Sequence, residues 1–238
     1  MKKNKVKSSI PKVLGLALLF ATAGMYSCTK YLDIVPDNIA EIEHAFKLRT
    51  EAEKYLFTCY AYLPKHGDGW FNAGMMSGDE IWLPQDDQVH WHPAFRIAQG
   101  QQNVGAPLFN EWGGDLKGGD GRFNYLRLFE AIRHCNIFLE NVGDETKVPD
   151  LPLAERERWL GEVEFLKAYY HFHLFRMYGP IPIVDVNAPE SATPEELYYK
   201  RQPVDACVTY MSDLLDQAAA MLPPRIVDEN TELGRATK

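Results

Sequence analysis

Residues 153–182 read LAERERWLGEVEFLKAYYHFHLFRMYGPIP, and this stretch decides the fold class of the chain. Its apolar side chains occur at helical intervals and supply a broad apolar surface along an α-helix. They are Leu160, Val163, Phe165, Ala168, Tyr169, Phe172, Phe175 and Met177. Gly179 and Pro180 follow, and a glycine before a proline is typical of a helix C-terminus. We therefore predict one long helix from Leu153 to Tyr178.

Three further long helices are predicted around it. The first follows a capping box formed by Thr50 and Glu53 and ends at Pro64. The second covers residues 123–141, and the last opens at Pro203 and is closed by a double proline. The apolar positions expected to face the core are Ala52, Leu56, Cys59, Tyr60 and Leu63 in the first, Tyr125, Phe129, Ile132, Cys135 or Asn136 and Leu139 in the second, and Val204, Cys207, Val208, Met211, Leu214, Leu215, Ala218 and Met221 in the last.

Patterns typical of β-strands are nearly absent from the sequence. A second capping box, from Thr193 to Glu196, predicts one more short helix. Residues 65–121 differ from the rest, because they are rich in Gly, Pro, Asn, Gln, Asp and Trp and show no sustained periodicity. We therefore predict an all-α fold of antiparallel helix pairs, packed as a bundle or a TPR-like stack, with residues 65–121 as a long irregular loop region.

The N-terminus has the pattern of an export signal. Lysines precede an uncharged apolar run over residues 13–25, which is too short to span a bilayer, and Cys28 stands just after it. This arrangement resembles a bacterial lipoprotein signal, in which the cysteine carries fatty acyl chains. We predict a signal peptide over residues 1–27, lipidation at Cys28, a tether over residues 28–38 and a helical domain over residues 39–238. The alternative is an ordinary secretory signal with a coincidental cysteine.

The charge balance argues against two classes of partner. The chain has 25 basic and 33 acidic residues, a net charge of −8, and removal of residues 1–27 takes away five lysines and no acid. Nucleic-acid binding needs basic patches, so an acidic chain of this kind makes it an unfavoured function. Electrostatic adhesion to anionic lipid is unfavoured for the same reason, and a membrane contact would depend on the lipid.

Three cysteines remain besides Cys28. Cys59, Cys135 and Cys207 all fall within apolar helical patterns, so we predict three buried thiols. A disulfide between two of them is the alternative. The sequence has no CxxC spacing, and we predict neither a zinc site nor any other metal or cofactor.

Five segments resemble, in the same order, motifs of the SusD/RagB family. Residues 162–182 match its signature helix, E-x-x-F-L-R/K-A-x-x-x-F-x-L-x-x-x-Y-G-x-x-P. The other four segments are Cys28–Pro36, Glu53–Pro64, Ala131–Glu140 and Asp213–Pro223. The resemblance implies a nutrient-uptake lipoprotein on the outer face of the outer membrane. Such a protein caps a SusC-like TonB-dependent transporter and captures oligosaccharide for import, without catalysis.

Members of that family are usually about twice as long as this chain. Residues 234–238 read GRATK, which resembles the beginning of the family's next segment. We therefore expect this chain to be the N-terminal part of a longer protein. In the family, the C-terminal part would carry much of the ligand surface.

Residues 65–121 hold the candidate ligand-binding side chains. Sugar recognition uses flat aromatic faces against pyranose C–H groups and planar polar groups against hydroxyls. The candidates are Trp91, Trp82, Trp70, Asp79, His92, Arg96 and Asn103, beside Trp112, Gln85 and Asp86. Trp91 is the first choice, because His90, His92 and Arg96 surround it in sequence. The alternative is that each tryptophan packs the loop against the helices.

Other functions remain open at this point. A helical lipoprotein that binds only its transporter, or one that carries a nutrient other than a glycan, fits the same pattern. A surface glycosidase would need two carboxylates about 5–10 Å apart across one cleft. Asp79 with Glu80, Asp86 with Asp87, and Glu162 with Glu164 are more simply interpreted as solvated charges. The histidines at positions 171 and 173 are interpreted as packing plus surface, since i and i+2 of a helix face different sides.

Overall fold

The computed structural model describes residues 42–64, 67, 73–82, 93–105, 107–113, 127–189, 191–226 and 228–238. These residues contain a 3-10 helix, Ile42–Phe46, and six α-helices: α1 Arg49–Tyr60, α2 Ala73–Met76, α3 Pro93–Ala98, α4 Leu128–Val142, α5 Leu153–Tyr178 and α6 Val204–Met221. No β-strand occurs among them. The predicted all-α fold is confirmed. Cys28, with the predicted signal and tether, lies outside the described residues.

Helix α5 is the centre of the fold and packs against α4, α6 and α1. Its Trp159 and Tyr170 are fully buried, and they share one core with Phe138 of α4 and Leu56 of α1. The Tyr170 hydroxyl donates to the backbone carbonyl of Cys59, so its polar end is satisfied as well. Each large buried side chain of this kind stabilises the fold by about 2–3 kcal/mol.

The ends of α5 agree with the prediction. The helix covers Leu153–Tyr178, and Gly179 adopts a φ of 70°, which disfavours residues with a Cβ. A second glycine, Gly161, lies where α5 approaches α6. A Cβ added to Gly161 would lie 2.9 Å from the Met221 Cβ and 3.2 Å from the Ala218 carbonyl oxygen. The missing side chain therefore sets how closely the two helices pack.

The predicted capping box at Thr50 and Glu53 is wrong. Helix α1 begins at Arg49, so Thr50 lies inside its first turn, and its N-cap Leu48 provides no side-chain hydrogen bond. The backbone N–H of Arg49 instead donates to the Asp150 carboxylate, 2.7 Å away. A carboxylate from the loop before α5 thus caps α1 across the fold.

The second predicted capping box forms without a helix. The Thr193 backbone N–H donates to the Glu196 carboxylate at 2.8 Å, and the Glu196 N–H donates to the Thr193 hydroxyl at 3.4 Å. The chain makes a turn over residues 194–197 and has no regular secondary structure over residues 198–203. Of the predicted second helix, residues 128–142 are helical, and residues 123–126 lie outside the described residues.

Two expectations about burial are wrong. The sequence predicts core positions for Phe172 of α5 and for three residues of α6, but each of the four is 43–48% exposed. The three in α6 are Val204, Val208 and Leu215. Glu162 was interpreted as a solvated charge, but it is fully buried among Arg158, Arg235 and Tyr60. The segment after α6 explains the burial of Glu162, because its Arg235 packs against the carboxylate. Among the described elements α6 packs mainly on α5, so apolar side chains on its other side stay exposed.

The three cysteines behave as predicted. Cys59, Cys135 and Cys207 are buried and free. Burial raises the pKa of the Cys135 thiol well above its ordinary value. The alternative of a disulfide between two of them does not hold.

Candidate functional site

A pocket of about 370 Å³ opens where the loop before α4, helix α4 and the two segments after α5 meet. It is lined by Trp112, Phe129, Arg133, Pro182, Val184, Asn187, Ala188, Leu197 and Tyr199. Its size is in the range of small-molecule sites. The described lining combines aromatic surfaces with one guanidinium and one amide, which is the mixture that ligand pockets usually have.

Trp112 is held in place by rings from two helices. The Phe129 ring meets it edge-on at 4.8 Å between centroids, and the Tyr178 ring does so at 5.5 Å. The guanidinium carbon of Arg201 lies 5.0 Å from its ring centroid. Contacts of these kinds each contribute about 0.5–1.5 kcal/mol, so the indole has a defined position before any ligand binds.

The loop that carries Trp112 is attached to α5 and α4. The Glu111 backbone N–H donates to the Tyr178 hydroxyl at 3.0 Å, and the Glu111 carbonyl accepts from the Leu128 N–H at 2.9 Å. The buried Glu111 carboxylate lies 2.7 Å from Nε2 of His173. This half of the pocket wall is therefore fixed to the central helix.

The opposite wall is segment 181–188, which has no regular secondary structure and bends at Val186. Nδ2 of Asn136 donates to the Val184 carbonyl at 3.2 Å and to Oδ1 of Asn187 at 3.3 Å. Nδ2 of Asn187 donates in turn to the Arg133 carbonyl at 3.1 Å. The sequence predicts Asn136 or Cys135 as a core position, and both are buried, but only the structure shows that Asn136 holds this wall.

A second set of contacts holds the same segment from behind. The buried ammonium of Lys167 donates to the Asp185 carbonyl at 2.7 Å and lies 3.2 Å from its carboxylate. The Tyr210 hydroxyl of α6 donates to the same carboxylate at 2.9 Å. Although burial opposes ionisation, the Tyr210 and Lys167 contacts keep the pKa of Asp185 below its ordinary value.

The ligand-binding residues predicted from the sequence, where the structure describes them, lie outside this pocket. Trp82 is 51% exposed, and its ring meets the Phe95 ring edge-on at 5.2 Å. Gln101 connects Arg96 and Asn103, since it accepts from Nε of Arg96 at 2.9 Å and its carbonyl accepts from Nδ2 of Asn103 at 3.3 Å. Asp79 is exposed, and none of these four lines the pocket. Trp70, Trp91 and His92 lie outside the described residues, as do Gln85 and Asp86.

Sequence reasoning missed most of the pocket lining, including its two polar side chains and Tyr199. Arg133 occurs in a recognised helix motif but was not singled out, and Asn187 and Tyr199 lie in segments without a distinctive pattern. The adjacent tyrosines at positions 198 and 199 are visible in the sequence, and in the structure Tyr198 is 84% exposed beside the pocket-lining Tyr199. Of the loop tryptophans that the structure describes, Trp112 is the one that lines the pocket.

The paired histidines of α5 do not form a metal site. Both are buried, so the expectation that one faces the surface is wrong. Nδ1 of His171 donates to the Lys167 carbonyl at 2.7 Å, whereas His173 contacts Glu111. Burial lowers the pKa of His171 to about 4. Across the described ranges, no three His, Cys, Asp or Glu side chains are grouped to hold a metal ion.

In the part of the chain that the structure describes, no helix combines the length and the hydrophobicity needed to cross a bilayer.

Comparison with known proteins identifies relatives of this chain. Residues 115–238 match the model of a SusD-like family described as "Starch-binding associating with outer membrane". No curated protein matches the sequence.

Three solved structures share the fold. BT4246 is 28% identical with a TM-score of 0.60, and the match covers 81% of this chain and 29% of that one. A SusD-like protein (BF3747) from Bacteroides fragilis is 22% identical with a TM-score of 0.63, covering 84% and 34%. A laminarin-binding SusD-like protein is 18% identical with a TM-score of 0.60, covering 81% and 38%. The chain thus spans about a third of the length of these proteins.

Proposed function

Because the chain belongs to the SusD-like family, we propose that it binds oligosaccharides at the cell surface. The pocket beside Trp112 is the observation that carries the proposal. Trp112 and Tyr199 provide rings against which pyranose C–H faces pack, and Arg133 and Asn187 provide planar polar groups for hydroxyls. The walls are already fixed by hydrogen bonds, so binding costs little additional ordering.

Membership in the family supports a wider role as well. We propose that Cys28 carries the lipid, that residues 28–38 act as a tether, and that the domain faces outward from the outer membrane. In this role the protein delivers captured oligosaccharide to a SusC-like TonB-dependent transporter. One structural relative is named as a laminarin-binding protein, which supports a glycan as the ligand class here.

A second candidate function has a specific observation in its favour. Val186 and Tyr198 are 71% and 84% exposed close to the pocket, and exposed apolar side chains of this size often mark protein contacts. In this alternative, the protein is a helical scaffold that binds only its transporter. A ligand other than a glycan remains a further alternative for the pocket.

A glycan array probed with the full-length chain and its variants tests the proposal. We expect Tyr199→Ala to lose most of the signal of any glycan that the parent protein binds. Trp112→Ala should do the same, but it also removes packing against Phe129, so Tyr199→Ala is the cleaner variant. Phe172→Ala is the matched control, because this aromatic residue is 46% exposed and does not line the pocket. Unchanged binding by both pocket variants would show that the pocket is not the site.

A further inference from the structure

We infer that this pocket accepts an acidic sugar, a hexuronate with its carboxylate against Arg133, and the inference rests on the proposed glycan binding. The described lining holds one charged side chain, the guanidinium of Arg133, and no carboxylate. The chain as a whole has the opposite balance, with 33 acidic and 25 basic residues. The described lining of the pocket therefore has the opposite charge to the chain as a whole.

The guanidinium of Arg133 is available to a ligand. It forms no hydrogen bond or ion pair with any residue that the structure describes, and its side chain is exposed. The nearest preceding carboxylate on α4, Glu130, already has two other partners. It accepts from the Tyr62 hydroxyl at 2.8 Å and from Arg127 at 3.3 Å.

Those partners also explain why Glu130 does not neutralise Arg133. The Tyr62 hydrogen bond, followed by the Arg127 contacts, holds the pKa of Glu130 below its ordinary value. Glu130 is thus charged but directed toward Tyr62 and Arg127. The five N–H donors of the Arg133 guanidinium form no hydrogen bond with any residue that the structure describes.

A second guanidinium adds positive charge at the same wall. Arg201 lies over the Trp112 ring, and its Nη1 donates to the carbonyls of Tyr178 at 3.0 Å and Pro180 at 2.8 Å. These acceptors are neutral, and Arg201 forms no ion pair with a described carboxylate. Within the described part of the chain its contacts are all to neutral groups, so its charge favours an anion near Trp112.

The shape of a hexuronate suits these groups. A guanidinium fork matches a planar carboxylate with two parallel hydrogen bonds, which is a geometry that a hydroxyl cannot use. The carboxylate replaces the hydroxymethyl group of a neutral hexose and lies at the edge of the ring. The C–H face of the same sugar stays free to pack on Trp112 or Tyr199.

The test compares each acid with a neutral ester that carries one added methyl group at each carboxylate. Oligogalacturonate, oligoglucuronate and oligomannuronate are each titrated into the full-length chain beside their methyl esters of the same length. We expect at least one acid to bind about tenfold more tightly than its ester, as a charge-assisted hydrogen bond implies. Arg133→Gln should abolish that preference. Arg225→Gln, an exposed arginine that does not line the pocket, should retain it.

The outcomes separate the two proposals. Neutral glycans bound as well as or better than every acid would overturn the acidic-sugar inference and leave glycan binding intact. No binding to these ligands or to any glycan on the array would overturn the proposed function as well. An acid preference that survives in Arg133→Gln would exclude Arg133 as its source. The comparison of acid with ester uses the unaltered protein, so it does not depend on the folding of a variant.

Discussion

Arg235 donates to both carboxylate oxygens of the fully buried Glu162, with its Nε 3.1 Å from each and its Nη2 2.8 Å from one. The Tyr60 hydroxyl donates to the same carboxylate at 2.7 Å, and Arg158 donates at 3.0 Å. The pair joins α5 to the segment after α6 across 73 positions of sequence. Both residues belong to segments that resemble family motifs, and the structure joins the two segments through this ion pair.

Loss of this carboxylate should be costly. In Glu162→Gln, two buried or half-buried guanidinium groups lose their shared counter-charge, so we expect the free energy of unfolding to fall by about 3 kcal/mol. Urea denaturation followed by circular dichroism measures the change. Glu157→Gln, an exposed site on the same helix, is the control and should change little. If Glu162→Gln and Arg235→Gln had additive effects, the two residues would not be coupled as the geometry requires.

Gly161→Ala tests the close approach of α5 and α6. Alanine is favoured over glycine inside an isolated helix by about 1 kcal/mol, so helix propensity alone predicts stabilisation. We expect net destabilisation of about 1–3 kcal/mol, because the new Cβ would lie 2.9 Å from that of Met221.

The contact partner offers a way to check the cause of that loss. Met221→Gly in the Gly161→Ala background removes the Cβ contact, so it should cost less than Met221→Gly in the parent protein. Thermal unfolding of the four proteins gives the coupling directly. A more stable Gly161→Ala protein would contradict the close packing.

Stability should fall in moderate acid because of His171. Burial lowers its folded-state pKa to about 4 from the ordinary 6.5, so the unfolded chain takes up the proton first as pH decreases. The stabilisation from neutral His171 is complete above about pH 6.5 and is lost as the pH falls toward 4, to a total of about 3 kcal/mol. Burial also lowers the pKa of His134, which adds a change of the same sign.

A pH series of denaturation curves for two variants checks this prediction. His171→Gln should flatten the profile between pH 6.5 and 4 and leave the smaller slope from His134. His44→Gln, at an exposed histidine, should keep the full slope. Equal slopes in the parent and in His171→Gln would show that His171 does not govern the acid sensitivity.

Asn136 is expected to act as a positioning residue for the pocket. Asn136→Ala removes the hydrogen bonds to Val184 and Asn187 and should destabilise the fold by about 1–2 kcal/mol. Hydrogen exchange should become faster in residues 183–188, while α5 stays protected. Glycan affinity should fall together with this local loosening. Asn141→Ala, which removes a hydrogen bond to Ile137 of the same helix, should leave both the segment and the affinity unchanged.

Much of the helical architecture is predictable because its causes are local. Helix α5 has the predicted bounds, since apolar spacing acts over three to four residues and Gly179 with Pro180 interrupts the pattern at once. The start of α6 after Pro203 follows from the same kind of signal. The start of α1 does not, because the group that caps it, Asp150, lies 101 positions away from Arg49.

The candidate site was less accessible to sequence reasoning. Loop composition predicts the binding residues within residues 65–121, and from that region Trp112 lines the pocket. The other walls come from α4 and from residues 182–199, whose individual side chains carry no local signature of a site.

The sequence by itself determined the helical class of this protein, the extent of its central helix and its membership in the family, because these depend on short-range periodicity and ordered motifs. Only the tertiary structure decided that Glu162 is buried, that Asp150 caps α1 and that Arg133 meets Trp112 in one pocket. Those pairings depend on how separate helices pack. The contribution of a charged or aromatic side chain to stability or binding depends on which groups pack next to it. Local sequence patterns do not specify those neighbouring groups.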